Sequence, residues 1–167
     1  SPAPFDDAGF TAFNRLYVGT LERWGLFADE ENPVARTNVC PVHHAPAEPV
    51  LEAFSLTLPA DGSAGPSFVL AGGGDARPGP EPYAERIVRF GETSPDAMRE
   101  KGRHVLALME ARMAALGVGW ADATAVQAYA AEDLSALMAE EIAPRGAARA
   151  GLVWHFARPP VAGLAFE

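Results

Sequence analysis

Hydrophobic residues recur every three or four positions in three segments, which is the period of an amphipathic helix. The segments are residues 6–26, 95–116 and 132–142. Asp6 or Asp7 can cap the first helix, and Ser94-Pro95-Asp96 is a strong start for the second. Gly117 and Pro144 end the later two. The predicted buried faces carry Phe10, Phe13, Tyr17, Leu21 and Trp24 in the first helix, Met98, Val105, Met109, Met113 and Leu116 in the second, and Leu134, Leu137, Met138 and Ile142 in the third.

Shorter apolar or alternating runs predict strands over residues 50–58, 67–71, 86–90, 123–130, 150–157 and 161–167. The first two strands, joined by a turn at Asp61–Gly62, are expected to form a hairpin. Residues 28–49 carry four prolines and no period, which predicts an extended loop. After residue 50 the predicted order is therefore β-β-β-α-β-α-β-β.

Composition narrows the class of protein. With 167 residues, 49% hydrophobic and 21% charged, the chain has the size and balance of one globular domain. A net charge of −9 without a basic cluster argues against nucleic acid as a partner. No apolar run reaches the roughly 18 residues that span a membrane, and no signal-peptide pattern opens the chain. These features and the single cysteine, Cys40, predict a cytoplasmic location without disulfides.

Two motifs invite a ligand interpretation. Cys40, His43 and His44 resemble half of a zinc site, but a second Cys or His cluster is missing from the sequence. We therefore expect no metal or other cofactor, and consider His43 and His44 as substrate contacts or proton carriers, or as ordinary loop histidines. The Gly72-Gly73-Gly74 run cannot open a phosphate-binding helix, because Pro78 and Pro80 follow it. We therefore expect these glycines to line a cleft and not to bind phosphate.

Several longer segments resemble the reactive-intermediate (enamine/imine) deaminase family, RidA. They are HHAPAEPV at 43–50, SFVLAGGGD at 67–75, the helix at 98–117, and the runs at 120–142 and 148–167. The resemblance implies an α/β (α+β) sandwich with the chorismate-mutase-like, RidA-like fold: a mixed β-sheet with two helices packed on one face. Residues 43–167 would form this domain and residues 1–42 an N-terminal helical extension. It also implies a homotrimer with clefts between subunits.

The same resemblance implies the site. Arg149 stands where the family's deaminases hold the substrate carboxylate, and Glu167 stands near the glutamate that positions a water. Gly72, Gly73 and Gly151 occupy other site positions, where the family usually has a hydroxyl residue near the first two and a cysteine at the third. From the residues alone, a surface arginine is the favoured interpretation of Arg149 and a solvent-side strand residue that of Glu167, and the ligand roles are the alternatives.

Three functions follow. The first is hydrolytic deamination of an enamine or imine of a small carboxylic acid, with Arg149 on the carboxylate and catalysis by Glu167, helped by His43 or His44. The second is a non-catalytic trimeric protein that binds a small acid, which the missing hydroxyl and cysteine favour. The third is a chorismate-directed hydrolase on the same fold. The family's older endoribonuclease label fits poorly with a net charge of −9.

Overall fold

The computed structural model describes residues 1–56, 58–59, 62 and 67–167. In chain order its regular elements are α1 (Asp7–Arg23), β1 (Cys40–Pro41), α2 (Tyr83–Arg86), α3 (Pro95–Ala115), β2 (Val126–Tyr129), α4 (Ser135–Leu137), β3 (Leu152–His155) and β4 (Ala157–Arg158). A 3₁₀ turn at Trp120–Asp122 precedes β2, and α4 continues as a π-helical turn over Met138–Ile142. None of the described helices is long and apolar enough to cross a membrane.

The predicted starts of the first two helices are confirmed, whereas the third helix, predicted to begin at residue 132, begins at Ser135 and becomes a π-helical turn from Met138. Asp6 caps α1 by accepting a 2.7 Å hydrogen bond from the Gly9 N–H, and Ser94 caps α3 by accepting from the Ala97 N–H at 3.3 Å. Gly117 follows α3 with a φ of 70°, a left-handed conformation that glycine adopts at little cost. The predicted burial of the last residues was wrong. Trp24 and Leu116 are 68% and 57% exposed, because each is the residue at which its helix ends.

The main core lies between α3, β2 and the α4 region. Its buried side chains are Met98, Val105, Leu106, Ala128, Ala130, Leu134, Leu137, Ile142, Ala147 and Phe166. Gly102 lets α3 approach α4 closely, because a Cβ at this position would overlap the side chain of Leu137. The helix faces predicted from the sequence thus pack against each other and against the strand that lies between them in the chain.

Strands β2 and β3 pair in parallel, with Val126 opposite Leu152 and Tyr129 opposite His155. Parallel neighbours need a long connection, and the α4 region supplies it. The last residue of β2 also pairs with the C-terminal segment: the Tyr129 N–H donates to the Glu167 carbonyl at 2.8 Å, and the Glu167 N–H donates to the Tyr129 carbonyl at 3.1 Å. This exchange fixes the C-terminal segment beside β2.

The N-terminal segment packs on the C-terminal half of the chain. Strand β1 pairs antiparallel with β4, Cys40 opposite Arg158. Phe5 donates to the Pro160 carbonyl at 2.8 Å and accepts from the Ala162 N–H at 2.8 Å. Residues 1–42 therefore contact the predicted RidA-like domain; the boundary at residue 42 and the fold assignment stay predictions.

Four predicted strands differ from the structure. Residues 50–56 and 67–71 are irregular, and their apolar side chains are exposed, Leu51 at 79% and Phe54 at 76%, because no described strand pairs with them. Thr57 and Asp61, part of the predicted hairpin, lie outside the described residues. At 86–90 the backbone ends α2 and turns, since the Arg86 guanidinium donates to the carbonyls of Arg77 and Glu81 at 2.7 Å.

The segment 161–167 is also not a continuous strand. Val161 bridges to Phe5 and Glu167 pairs with Tyr129, but the chain turns between them at Gly163, where φ is 93°. Because of this turn, the two ends of the segment pair with different parts of the chain and do not form one continuous strand. The turn leaves Glu167 at the end of a short segment whose main chain is held on both sides.

Candidate functional site

A cleft of about 300 Å³ opens where α1, α3, the loop before β1 and the C-terminal segment meet. Its floor includes the backbone of Gly72, Gly73 and Gly74. Charged and polar side chains surround it. The residues that line it are Phe10, Arg36, Asn38, Gly72, Gly73, Gly74, Ala76, Arg77, Pro78, Tyr83, Arg86, Leu108, Arg112, Pro160, Val161, Leu164 and Glu167.

The carboxyl group of Glu167 enters this cleft beside Gly72. A Cβ on Gly72 would overlap Oε1 of Glu167, so the carboxyl occupies space that a side chain at residue 72 would fill. Burial raises the pKa of Glu167 to about 7, although Arg36 and Arg112 attract the ionised form and Asp75 repels it. A carboxylic acid with this pKa exchanges its proton near neutrality, as a general acid or base must.

Arg36 reaches the cleft from the loop before β1 and packs against the half-buried side of α1. Its guanidinium lies 4.5 Å from the ring centre of Tyr17 and 5.4 Å from that of Phe13, and Nη2 donates to Asn14 at 2.6 Å. Burial lowers its pKa, and Nη1 has no hydrogen-bond partner among the described residues. The Asn38 amide nitrogen, two residues on, is buried and unpartnered in the same way. Buried donors without partners are uncommon in folded proteins and mark this wall of the cleft.

Arg112 extends from α3 to the opposite side of the floor. Its Nη1 donates to the carbonyls of Ala71 and Gly72, at 2.8 Å and 3.0 Å. These bonds fix the guanidinium at the glycine run. Arg77 and Arg86 complete the set, and Arg86 stacks 4.3 Å from the ring centre of Tyr83.

The charges in the cleft are opposite to those of the whole chain. Four of the thirteen Lys and Arg residues line it, against one of the twenty-two Asp and Glu residues. Basic side chains in a concave, low-dielectric site concentrate their field and attract anions. Planar guanidinium groups suit carboxylates in particular, because they can form two parallel hydrogen bonds with one.

Of the residues chosen from the sequence, Glu167, Gly72 and Gly73 meet in this cleft. Arg149 and Gly151 do not line it: both are exposed, on the turn that precedes β3. His43 and His44 are exposed too, and the His43 ring stacks 5.5 Å from the ring centre of Phe156. Within a single chain, these four residues are therefore separate from the cleft that holds Glu167.

Cys40 and the two histidines do not form a metal site in the described part of the chain. No group of three or more Cys, His, Asp or Glu side chains there is arranged to hold an ion. Cys40 itself is buried, 2% exposed, and burial raises the pKa of its thiol. Its contacts are those of a core residue beside β4.

The four arginines that line the cleft were not predicted from the sequence. Arg112 lies on α3 four residues after Leu108, which also lines the cleft, so helical spacing carried a usable signal. Arg36 lies in a segment without a period, and only its packing on Tyr17 brings it to the site. Nothing in the local sequence distinguishes it from a surface arginine.

Comparison with known proteins identifies the family. The sequence model of the family described as 2-aminomuconate deaminase CnbZ matches residues 1–167. The chain belongs to this family. It is 54% identical over 168 residues to the 2-amino-5-chloromuconate deaminase of Comamonas testosteroni, an alignment that covers 100% of this chain and 67% of that protein. No solved structure matches the chain. The match includes residues 1–42, and the likeness to RidA stays a prediction.

Proposed function

We propose that the chain is a hydrolytic deaminase of a 2-aminomuconate-type enamine. Membership of the CnbZ family and the similarity to a 2-amino-5-chloromuconate deaminase support the reaction class. The observation that carries the proposal is the Glu167 carboxyl, with a pKa of about 7, in a cleft lined by four arginines. Muconates are six-carbon dicarboxylates, so the substrate brings two negative charges to a basic cleft.

The chemistry needs a proton carrier and a water molecule. An enamine becomes electrophilic when a proton is added to its carbon chain, which gives an iminium ion at the carbon that bears nitrogen. Water then adds to this carbon, a second proton transfer turns the amino group into a leaving group, and ammonia departs to give the 2-oxo acid. One water is consumed and one ammonia released, with no change in oxidation state.

Glu167 suits each of these proton transfers. In its protonated form it can donate to the substrate carbon, and the resulting carboxylate can accept a proton from the attacking water and return it to the amino group, which leaves as ammonia. The proton that the hydroxyl group then loses as it becomes the 2-oxo group restores the acid form of Glu167. Near neutral pH a carboxyl with a pKa of about 7 populates both forms. An ordinary glutamate with a pKa near 4.3 would be ionised almost completely and would be a poor donor.

The arginines supply binding and orientation. Arg36 and Arg112 lie near the Glu167 carboxyl, as their effect on its pKa indicates, and suit the substrate carboxylate nearer the reacting carbon. Arg77 and Arg86 line the same cleft and suit the second carboxylate. Holding both ends of a flat dicarboxylate would place its amino-bearing carbon beside the proton carrier.

An assembly would bring further residues to the reaction. We propose a homotrimer, and the exposed apolar side chains at residues 50–58 support burial of this segment in a subunit contact. Arg149, Gly151, His43 and His44 would act in the same reaction only from a neighbouring subunit. In this form Arg149 would add a further guanidinium group to one of the two carboxylates that the cleft arginines hold.

The test is ammonia release from freshly prepared 2-aminomuconate, corrected for spontaneous hydrolysis. We expect turnover by the wild type and a loss of about 10²-fold or more in Glu167→Gln, a typical effect of removing a general acid–base group. Arg15→Gln, an exposed arginine of α1 outside the cleft, is the control. A Glu167→Gln rate equal to wild type would overturn the catalytic role of Glu167, and no turnover by the wild type would overturn the deaminase function. Dicarboxylates that raise Tm without ammonia release would favour the binding protein.

A further inference from the structure

A fully buried ion pair lies next to the cleft and plays no part in the proposed chemistry. Lys101 of α3 and Asp75 are each 0% exposed, and Lys101 Nζ lies 2.7 Å from Asp75 Oδ2. The ammonium also donates to the Val88 carbonyl at 2.5 Å. Neither residue lines the cleft.

A buried ion pair needs a reason, because removing both charges from water costs more than their attraction returns in many proteins. Replacement by apolar residues of similar size is often neutral or stabilising. Lys101 is the single lysine of the chain. The contacts of Asp75 show what its charge holds in place.

The second carboxylate oxygen of Asp75 binds the main chain of the C-terminal segment. Oδ1 accepts hydrogen bonds from the N–H groups of Ala165 at 3.0 Å and Phe166 at 3.2 Å. The Asp75 N–H donates to the Phe166 carbonyl at 3.1 Å. Asp75 thus binds the N–H and the carbonyl of Phe166, the residue directly before Glu167.

The glycines before Asp75 bring the two segments together. A Cβ on Gly74 would lie 2.9 Å from Leu164, and one on Gly72 would overlap the Glu167 carboxyl. On its other side Glu167 is held only through its main chain, by the exchange with Tyr129. No described hydrogen bond holds its side chain, so its position depends on the backbone.

We propose that Asp75, held in place by Lys101, is a positioning residue for Glu167. It fixes the main chain at Ala165 and Phe166 so that the carboxyl points into the cleft against Gly72. This inference rests on the proposed function, since it gives Glu167 the task of proton transfer. Rigid support for a catalytic group matters because small misplacements lower the rate strongly.

The test removes the pair without leaving a lone buried charge. Lys101→Met with Asp75→Leu removes both charges and the acceptor, whereas Lys101→Met with Asp75→Asn removes the charges and keeps an amide oxygen for the two N–H groups. We expect the leucine variant to lose tenfold or more in kcat for 2-aminomuconate with KM changed less than threefold. The asparagine variant should lose about threefold, as a partial rescue.

Each variant is also made in the Glu167→Gln background and measured with enzyme in excess. A residue that acts through Glu167 has no further effect once that carboxyl is gone, so both pairs should change the residual rate less than twofold. Glu141→Gln, which removes the charge of a buried carboxylate that pairs with Arg103 and Arg145 outside the cleft, is the control for lost stability. Its kcat should stay within twofold of wild type.

The outcomes separate the two proposals. Equal losses of kcat in both backgrounds, or wild-type kcat in the leucine variant, would overturn the positioning role while leaving the deaminase proposal intact. A wild-type rate in Glu167→Gln alone would overturn the catalytic role of Glu167 and, with it, this inference, whereas no turnover by the wild type would overturn the function itself. If circular dichroism shows the leucine variant to be unfolded, the asparagine variant decides. A loss of kcat that is seen with glutamate at residue 167 but not with glutamine supports positioning. No loss of kcat with either residue overturns it.

Discussion

The carboxyl group of Glu167 occupies the space beside Gly72 that a Cβ at that residue would fill. The hydroxyl of Thr37 lies on the same side, 3.0 Å from that Cβ position, and accepts a hydrogen bond from the Gly72 N–H at 3.3 Å. The backbone of Gly72 does not have a positive φ, so its conformation is open to any residue. A side chain at residue 72 would therefore compete for space with the Glu167 carboxyl group without straining the backbone.

Gly72→Ala is therefore expected to displace the Glu167 carboxyl while leaving the local backbone unstrained. Since proton transfer depends on the position of that group, kcat for 2-aminomuconate should fall about tenfold or more. Steady-state kinetics on ammonia release measure it. Gly119→Ala is the matched control, because Gly119 lacks a positive φ and a Cβ there would meet nothing within 4 Å. A wild-type kcat in Gly72→Ala would mean that the carboxyl position is not critical.

The pH dependence of the rate should follow the Glu167 carboxyl, whose pKa is about 7. The donor is the protonated form, which is complete below this pKa and lost as the pH rises through it. We expect kcat/KM of the wild type to fall about tenfold per pH unit above pH 8. This decrease should be absent from the pH profile of Glu167→Gln. A pH profile that is flat between pH 6 and 9 in the wild type would contradict the proton-donor role.

The helices were predictable because their signals are local. Ser94 caps α3 through an N–H three residues away, and Asp6 caps α1 in the same way. The predicted strand at 50–58 failed for the opposite reason: its pattern fits a strand only if another strand pairs with it. In the described residues its apolar groups, Phe54 among them, remain exposed. Pattern alone does not reveal whether the partner lies in the same chain.

The candidate site was partly predictable for a similar reason. Glu167 and Gly72 followed from a resemblance that covers their segments. Arg36 and Arg112 come from distant parts of the chain and meet the site only through tertiary contacts, such as the bonds from Arg112 to the Ala71 and Gly72 carbonyls. No sequence spacing indicates that residues 36 and 112 are close in space, so the basic cleft could be identified only from the structure.

Substitution of the cleft arginines should weaken binding of the dicarboxylate. Arg36→Gln and Arg112→Gln each remove a guanidinium near Glu167, and we expect KM for 2-aminomuconate to rise about tenfold or more, as loss of a charge-assisted hydrogen bond of about 1.5–3 kcal/mol predicts. Arg15→Gln should leave KM unchanged, because that side chain is exposed on α1 away from the cleft.

Arg149→Ala distinguishes a site within one chain from one between subunits. If only the cleft arginines hold the substrate, this substitution leaves KM within twofold of wild type. A tenfold rise for Arg149→Ala, together with unchanged KM in Arg36→Gln and Arg112→Gln, would move carboxylate binding to a subunit contact. It would also contradict the basic cleft as the substrate site.

The exposed apolar segment predicts self-association. Leu51, Phe54 and Leu58 are each more than 70% exposed, and large apolar side chains exposed in one segment are often covered by a partner. We expect a homotrimer by sedimentation velocity, and dissociation toward monomers in Leu51→Asp with Phe54→Asp. Leu16→Asp, on the exposed side of α1, is the control. A wild-type monomer at micromolar concentration would contradict the assembly.

The raised pKa of Glu167 should also appear in the stability of the protein. Between the unfolded pKa of 4.5 and about 7, the unfolded chain loses the proton while the folded chain keeps it, so stability falls as the pH rises through this interval. Above it, the folded protein carries the full cost of the buried charge, at most about 3 kcal/mol for a shift of this size. Glutamine avoids this cost at every pH.

Glu167→Gln is therefore expected to differ little from wild type in unfolding free energy at pH 4 and to exceed it at pH 8. Urea denaturation followed by circular dichroism at the two pH values measures the difference. Glu48→Gln, the same substitution at an exposed side chain, should change little at either pH. If Glu167→Gln exceeds wild type in unfolding free energy by the same amount at pH 4 and pH 8, the Glu167 carboxyl of the wild type is not held protonated. The proposed reaction would then lack its proton donor.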